Sequence, residues 1–305
     1  MNESLPKSSS GNIDGVILMN KKDLKEQLQF FSDEFHISMY TQTYIHTKGD
    51  HIPFHWHDQL QITWVYEGTL EYCVNGDSFH LSDDKLLLVN SQLMHSSKTI
   101  RQDAKTLCIN FSLEVFHPMI LKHYIVPFLE SKGFSYILLP LKPYQSDTLK
   151  RFLDWTKSPS SYFLIMNFLS QIFENVLRDH NPKDSPPNYE EIEMFHNALN
   201  YIYEHYAEPL TLQQIAAQIM TNNSRISLLF KKYTHMSPVK FLNKYRLYIA
   251  KDMILHTDKP ISEISETVGY NQLSYFIQKF RESYGFSPLK YRNKYALKPD
   301  REEKF

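Results

Sequence analysis

A chain of 305 residues, 42% apolar and 22% charged, has the length for two domains and the apolar content for a sizeable core, which argues against a disordered or low-complexity polypeptide. No basic-then-apolar leader and no run of 18 apolar residues appears, and the two cysteines, Cys73 and Cys108, show no zinc-site spacing, so a cytoplasmic, reducing setting is expected. The net charge of -1 hides a division: residues 221–298 hold 14 basic against 5 acidic side chains, whereas residues 1–220 hold 17 against 26. A basic block of this kind is the footprint of a phosphate-binding surface.

In chain order, residues 1–20 are mostly polar, with Ser8-Ser9-Ser10-Gly11 and one apolar patch, and read as a flexible N-terminal arm. A short helix fits residues 21–31. Strand signals follow between positions 36 and 112: HISMYTQTYI, LQITWVYEG, TLEYCVNG, DSFHL, KLLLVNS and TLCINFS. Most alternate apolar with polar residues, and Asn75-Gly76 is a hairpin signal, so a β-sandwich or barrel is predicted.

Within these strands His55-Trp56-His57, then Gln61 and Gly68, and later His95, have a spacing that resembles the two motifs of the cupin fold. Alternation puts His55 and His57 on one strand face, so both can point inward. The resemblance implies a jelly-roll interior with a converging histidine set, in which Gln61 stands where a metal-binding cupin has a glutamate. A neutral amide is the poorer ligand for a hard or borderline dication. Three readings therefore stay open: fold residues lining an effector pocket, ordinary histidines, or a metal site on His55, His57 and His95. The pocket reading takes His55, His57, Gln61, Trp64, Tyr66, Tyr72 and His95, with Tyr40 and Trp56 as further possible walls; the aromatics read equally well as packed core. No bound cofactor is expected.

From Leu113 the pattern turns helical. Leu121, Tyr124, Ile125 and Phe128 form a stripe interrupted at Pro127, LKRFLDWTK follows Pro143, and SYFLIMNFLSQIFENVLRDH carries a wide apolar face of Tyr162, Ile165, Leu169, Ile172 and Val176. The segment 181–188, NPKDSPPN, has three prolines in eight residues and reads as a linker between a domain at 21–180 and one at 189–298, with a tail at 299–305.

The last third contains one pattern twice. Phe230, Lys231, Ser237, Pro238, Lys240 and Phe241 recur as Phe280, Arg281, Ser287, Pro288, Lys290 and Tyr291. Each copy reads as a helix-turn-helix, joined by a helix over residues 240–256. In the first, Ile226, Leu229, Phe230 and Tyr233 form the inward stripe; in the second, Phe276, Phe280 and Tyr284 do, with Asn271 or Ser274 as helix cap.

Residues from about 196 to 292 resemble the DNA-binding domain of the AraC/XylS family of bacterial transcription regulators. The matching residues include Ile215-Ala216, Phe230-Lys231-Lys232, Val268-Gly269-Tyr270, Ser274-Tyr275-Phe276, Gly285 and Ser287-Pro288. His235 stands where the first unit usually has glycine, and Leu228 and Gln278 stand where arginine is common. The resemblance implies an α+β, two-domain chain: an N-terminal cupin-like β-barrel with following helices, and a C-terminal all-α domain with two helix-turn-helix units. It implies a regulator controlled by a small-molecule effector, a sugar among the candidates. It further implies dimerisation through the helices after the barrel, double-stranded DNA as partner, and RNA polymerase as partner if the output is activation.

By that resemblance Ser224, Ser227, Leu228, Leu273, Ser274, Ile277 and Gln278 face bases. Gln278 suits adenine, and Leu228 and Ile277 suit thymine methyl groups. Arg225, Lys231, Lys232, Lys240, Arg246, Arg281 and Arg292 are expected on phosphates. No Walker-type loop, nucleophile elbow or paired-cysteine motif occurs, so no enzyme is expected; the alternatives are a metal-dependent cupin enzyme fused to a DNA-binding domain and a ligand-independent architectural binder.

Overall fold

The computed structural model describes residues 26, 28–132, 134–154, 159–179 and 188–296. The arm at 1–20, most of the linker (181–187) and the tail at 299–305 lie outside the described residues. The helix expected over 21–31 is not found in its described part. There Glu26 bridges to Trp56, its N–H donating to the Trp56 carbonyl at 3.0 Å, and Phe31 N–H donates to Ile37 O.

Among the described residues, nine strands make two antiparallel sheets. One has the order β1 (Ile37–Tyr44), β8 (Ala104–Phe111), β3 (Leu60–Glu67), β6 (Lys85–Val89), β9 (Tyr136–Pro140); the other has β2 (His51–His55), β7 (His95–Thr99), β4 (Leu70–Val74), β5 (Asp77–Leu81). Asn75 and Gly76 both take positive φ, 50° and 95°, and close the β4–β5 hairpin as their type predicts. Strands β7 and β9 were not legible, and the strand expected to carry both His55 and His57 is corrected: β2 ends at His55, and His57 lies beyond it. Pro53 interrupts HIPFH, HSSKT has no apolar residue to alternate, and YILLP follows a helical stretch.

Alternation on β3 divides the domain into two cores. Leu60, Ile62 and Trp64 join Leu86, Leu88 and Ile109 under the helices, whereas Val65 joins Tyr72, Val74, Leu87 and Val89 between the sheets. The covering helices are α1 (Pro118–Ile120, a π turn over Leu121–Ile125, then Val126–Lys132), α2 (Pro143–Leu153) and α3 (Pro159–Asp179). On α3, Ile165, Phe168, Leu169, Ile172, Phe173 and Val176 are buried against the five-stranded sheet, so the wide apolar face covers this chain's own barrel. Phe163, on the other side, is 80% exposed.

The helical domain runs α4 (Tyr189–Glu204), α5 (Leu212–Gln218), α6 (Asn223–Thr234), α7 (Pro238–His256), α8 (Ile261–Thr267), α9 (Leu273–Tyr284) and α10 (Pro288–Tyr295). Thr211 and Gln214 form a capping box at α5, and Asn222 accepts from Arg225 N–H at α6. The caps proposed for α9 are corrected: its N-cap is Gln272, without a side-chain cap bond. The two recognition helices end alike, on His235 at φ 57° and Gly285 at φ 77°. Histidine tolerates that left-handed conformation at some cost, so the first unit keeps its turn without glycine.

The two domains pack on each other. Lys251 Nζ meets Asp50 Oδ1 at 2.7 Å, Tyr291 and Tyr295 hydroxyls donate to Lys48 O and Thr47 O at 2.8 and 2.7 Å, and the Trp56 indole stacks on His196 at 4.5 Å and 11°. A Cβ at Gly76 would lie 2.3 Å from Lys232 O, so the hairpin tip approaches α6 as only glycine can.

Candidate DNA interface and effector site

Helices α6 and α9 are the candidate recognition helices, and burial sorts their residues. Ile226, Leu229, Phe230 and Tyr233 are buried on α6, and Phe276, Phe280 and Tyr284 on α9. Of the proposed base readers, Ser224, Leu228, Leu273, Ser274 and Gln278 are exposed, and Ser227 and Ile277 half-buried. Leu228 at 62% and Leu273 at 41% are large apolar groups held in water, which fits contact with thymine methyl groups. Gln278 Nε2 donates to Glu282 Oε1 at 2.8 Å, so it must release that bond to pair with adenine. Tyr275, which sequence reasoning left out of the set, is 42% exposed with the Lys279 ammonium 5.6 Å from its ring.

The basic set divides. Lys231 and Arg281 are exposed at matching places on the two helices. Arg225 Nη2 bonds Glu191 Oε2 at 3.1 Å, and Lys232 Nζ and the Tyr233 hydroxyl donate to Glu191 Oε1. Desolvation pushes the Glu191 carboxyl upward, but the bonds from Lys232 and Tyr233 outweigh it and leave it below the usual carboxylate range. Two phosphate assignments are corrected. Arg246, 9% exposed, donates from Nε to Tyr206 O and from Nη2 to Glu208 O, both at 2.7 Å. Arg292 donates to Ile254 O at 3.1 Å and Lys259 O at 2.8 Å. Both guanidiniums satisfy carbonyls at and beyond helix C-termini, a role that needs the charge and the fork but no DNA. Lys240 is exposed but turns to a cleft on the barrel side.

Inside the barrel, His55, His57 and His95 lie together and buried, each 3% exposed or less, with one ring nitrogen from each within 4.8 Å of the others. His55 ends β2, His95 begins β7, and these residues pair across the sheet. Gln61 on β3 reaches His57 Nε2 at 2.9 Å and His95 Nε2 at 3.1 Å, and its amide nitrogen donates to Thr63 Oγ1 and the Tyr72 hydroxyl. Burial lowers the pKa of His55 and His95, and it raises the Cys108 thiol to about 11. Trp64 and Tyr66 are not part of this cluster, which corrects the pocket set. They share β3 with Gln61 at odd spacing and so face the helices, Trp64 donating to Asp83 O at 3.4 Å. Glu26, which the sequence did not single out, is buried beside His55 and accepts from the Tyr40 hydroxyl at 3.0 Å.

A cleft of about 320 Å³ opens between the two domains. The barrel contributes His51, Phe54 and Lys98, and the helical domain contributes Lys240, Lys244 and Tyr248, among others. Lys98 pairs with Glu71 at 2.9 Å. Desolvation, then the charges of Lys98 and Lys240, lower the pKa of Lys244. A site where cations crowd is one that an anion stabilises.

Comparison with known proteins agrees with this division. A family model described as an AraC-like ligand binding domain matches residues 37–128, and one described as a helix-turn-helix domain matches residues 215–294. The uncharacterized HTH-type transcriptional regulator YdeC of Bacillus subtilis is 24% identical over 284 residues, which cover 89% of this chain and 96% of that protein. The melibiose operon regulatory protein of Escherichia coli is 19% identical over 287 residues, covering 90% and 93%. Among solved structures, ToxT from Vibrio cholerae is similar over 86% of this chain and 100% of its own, at 14% identity and a TM-score of 0.49.

Proposed function

This chain belongs to the AraC family of transcription regulators, an AraC-like ligand-binding domain joined to a helix-turn-helix DNA-binding domain, and from that premise we propose that a small organic anion controls it from the cleft between the barrel and the helices. The observation that carries this is the placement of Lys98, from the barrel, opposite Lys240 and Lys244, from α7. A ligand held by both sides changes affinity for DNA only if it binds one relative position of the domains better than another, and a cleft formed by both domains meets that condition. The flanking Tyr248, Phe54 and His51 suit a ring or an acyl chain beside the charged group. A relative named for the melibiose operon makes sugar derivatives the first group to test, and the lysines select acidic ones such as sugar phosphates and sugar acids.

A thermal-shift and calorimetric panel of neutral sugars, sugar phosphates, sugar acids and carboxylic acids tests this. An acidic ligand should raise the melting temperature of the wild-type protein by mass action, and Lys244→Gln should lose most of the shift. A stabilising ligand whose affinity is untouched in both Lys98→Gln and Lys244→Gln would place the effector elsewhere. DNA of defined sequence is read by α6 and α9, with Lys231 and Arg281 anchoring phosphates. The chain acts as a homodimer through the outer side of α3, where Phe163 stands exposed beside Met166. Sedimentation of Phe163→Glu, expected as a monomer, tests that arrangement.

A further inference from the structure

The barrel interior gathers more electron-pair donors than its hydrogens serve. Each buried histidine turns Nδ1 to a main-chain carbonyl: His55 to Pro53 O at 2.9 Å, His57 to Gln59 O at 2.8 Å, and His95 to Leu93 O at 2.8 Å. A carbonyl only accepts, so each neutral ring keeps its proton on Nδ1 and presents a bare Nε2 lone pair. Gln61 adds its Oε1, facing Nε2 of His57 and of His95, because its nitrogen is committed to Thr63 and Tyr72. Glu26 closes the remaining side. Its Oε2 accepts no hydrogen bond and lies 3.7 Å from His55 Nε2, with both side chains no more than 3% exposed.

Turning the Gln61 amide over would supply hydrogens to His57 and His95. It would still leave Glu26 Oε2 buried without a hydrogen bond opposite the lone pair of His55, and a buried polar atom without a partner is costly. A cation at the centre resolves all of these contacts together. We infer that the barrel holds a site for a borderline divalent metal ion, ligated by Nε2 of His55, His57 and His95 and neutralised by the carboxylate of Glu26. Imidazole donors suit zinc, iron, nickel or copper rather than magnesium or calcium. Bonds of about 2.0 to 2.1 Å make edges of roughly 3.0 to 3.4 Å between neighbouring ligand atoms, the size of the spacings about Gln61 Oε1. The wider spread of the histidine nitrogens closes by ring movements of about 1 Å on that same geometry. The Nδ1–H bonds to carbonyls are the outer supports that fix ligating histidines.

The origin of the acid gives this site a consequence. Gln61 occupies the place where a carboxylate would complete the pattern, and the carboxylate comes instead from the segment preceding β1. Glu26 N–H donates to the carbonyl of Trp56, the residue between His55 and His57, and the Trp56 ring stacks on His196 of α4. The ion therefore ties the N-terminal segment to the barrel at the residue on which the helical domain rests. This is independent of the anion cleft.

The test uses untagged, full-length protein stripped with a chelator and titrated with Co2+ and Zn2+. Bound metal, visible absorption and melting temperature are followed. The wild type should take up one ion per chain saturably, show the ligand-field bands of nitrogen-ligated Co2+, and melt at a higher temperature. His57→Ala and His95→Ala should each lose at least 100-fold in affinity, and Glu26→Gln, which keeps the acceptor for Tyr40, should lose roughly 10- to 100-fold. Absence of saturable binding by the wild type overturns the site, and needs no variant to be folded. Unchanged binding in both histidine variants does the same, and unchanged affinity in Glu26→Gln removes the carboxylate from it.

Discussion

Arg246 distinguishes a structural cation from a DNA-binding one, and Arg246→Ala should lower the stability of the fold rather than remove a phosphate contact. The guanidinium makes two bonds of 2.7 Å to the carbonyls of Tyr206 and Glu208 and lies 5.8 Å from the Tyr270 ring, which joins the end of α4 to the second helix-turn-helix. A hydrogen bond to a charged group contributes roughly 1.5 to 3 kcal/mol, so losing two costs about 3 kcal/mol even if water partly reaches the freed carbonyls. For a domain of this size that lowers the melting temperature on the order of 10 °C. Circular dichroism melts give the stability, and DNA titrations at several salt concentrations, well below the transition, give the phosphate count. The slope of log K against log salt should stay at the wild-type value, because each phosphate contact contributes about 0.9 to it and Arg246 makes none. A variant that melts like the wild type but loses about one unit of slope would put Arg246 back on the DNA.

Phe280→Ala should cost roughly 3 to 5 kcal/mol, since the ring is fully buried among Phe276, Tyr284 and Tyr291; an unchanged denaturation midpoint would contradict that packing. Lys231→Ala should weaken all DNA sequences alike and reduce the salt slope by about one, whereas Gln278→Ala should relax preference at one base position by about 1 to 3 kcal/mol with the slope intact. Selection from a randomised-site library separates the two, and uniform weakening by Gln278→Ala would end its base-reading assignment. Gly76→Ala adds a Cβ 2.3 Å from Lys232 O at a φ of 95°, so it should loosen the hairpin from α6. Hydrogen exchange across residues 223–234 should then accelerate, and protection equal to the wild type would show that the contact carries no strain.

The helical half of the chain was legible because its signals are local. Stripes of period 3.6, the Ser-Pro helix starts and the left-handed turns at His235 and Gly285 occur within a few residues of what they specify. What lies across from an exposed-looking side chain is not local. Arg246 and Arg292 look like phosphate anchors on a helical wheel, and only the fold brings carbonyls from 33 to 40 positions earlier beneath them. The barrel interior was half legible. His55, His57, Gln61 and His95 were found by spacing and Tyr72 only as one aromatic among several, while the odd interval from Gln61 to Trp64 already separated Trp64 from Gln61 by face. Glu26 carried no signal, since a lone glutamate in a segment with helical composition says nothing about the histidines it meets.

The contacts between the domains suggest how a ligand that never touches a base can alter DNA binding. The barrel grips both recognition helices at their C-terminal ends. Gly76 meets α6 at Lys232 and Ser78 faces His235, while Gly49 approaches Ser283 and Tyr284 at the end of α9. The N-terminal halves, with Ser224 and Ser274, remain exposed. Reading two successive turns of one DNA face requires the helices to be offset by about 34 Å, and that offset is set by α7 together with whatever holds the helix ends. The cleft between the domains is lined by Thr234 and His235 at the end of α6, by Lys240 and Lys244 on α7, and by His51, whose ring stacks on Tyr284 of α9 at 6.5 Å, so a ligand there touches both grips and bears on the first through more residues. A displacement of the first unit relative to the second changes the offset without disturbing either core. Because its cost is set against only the ligand's differential affinity, an effect of about 1 to 3 kcal/mol, or 5- to 150-fold in DNA affinity, is the scale to expect.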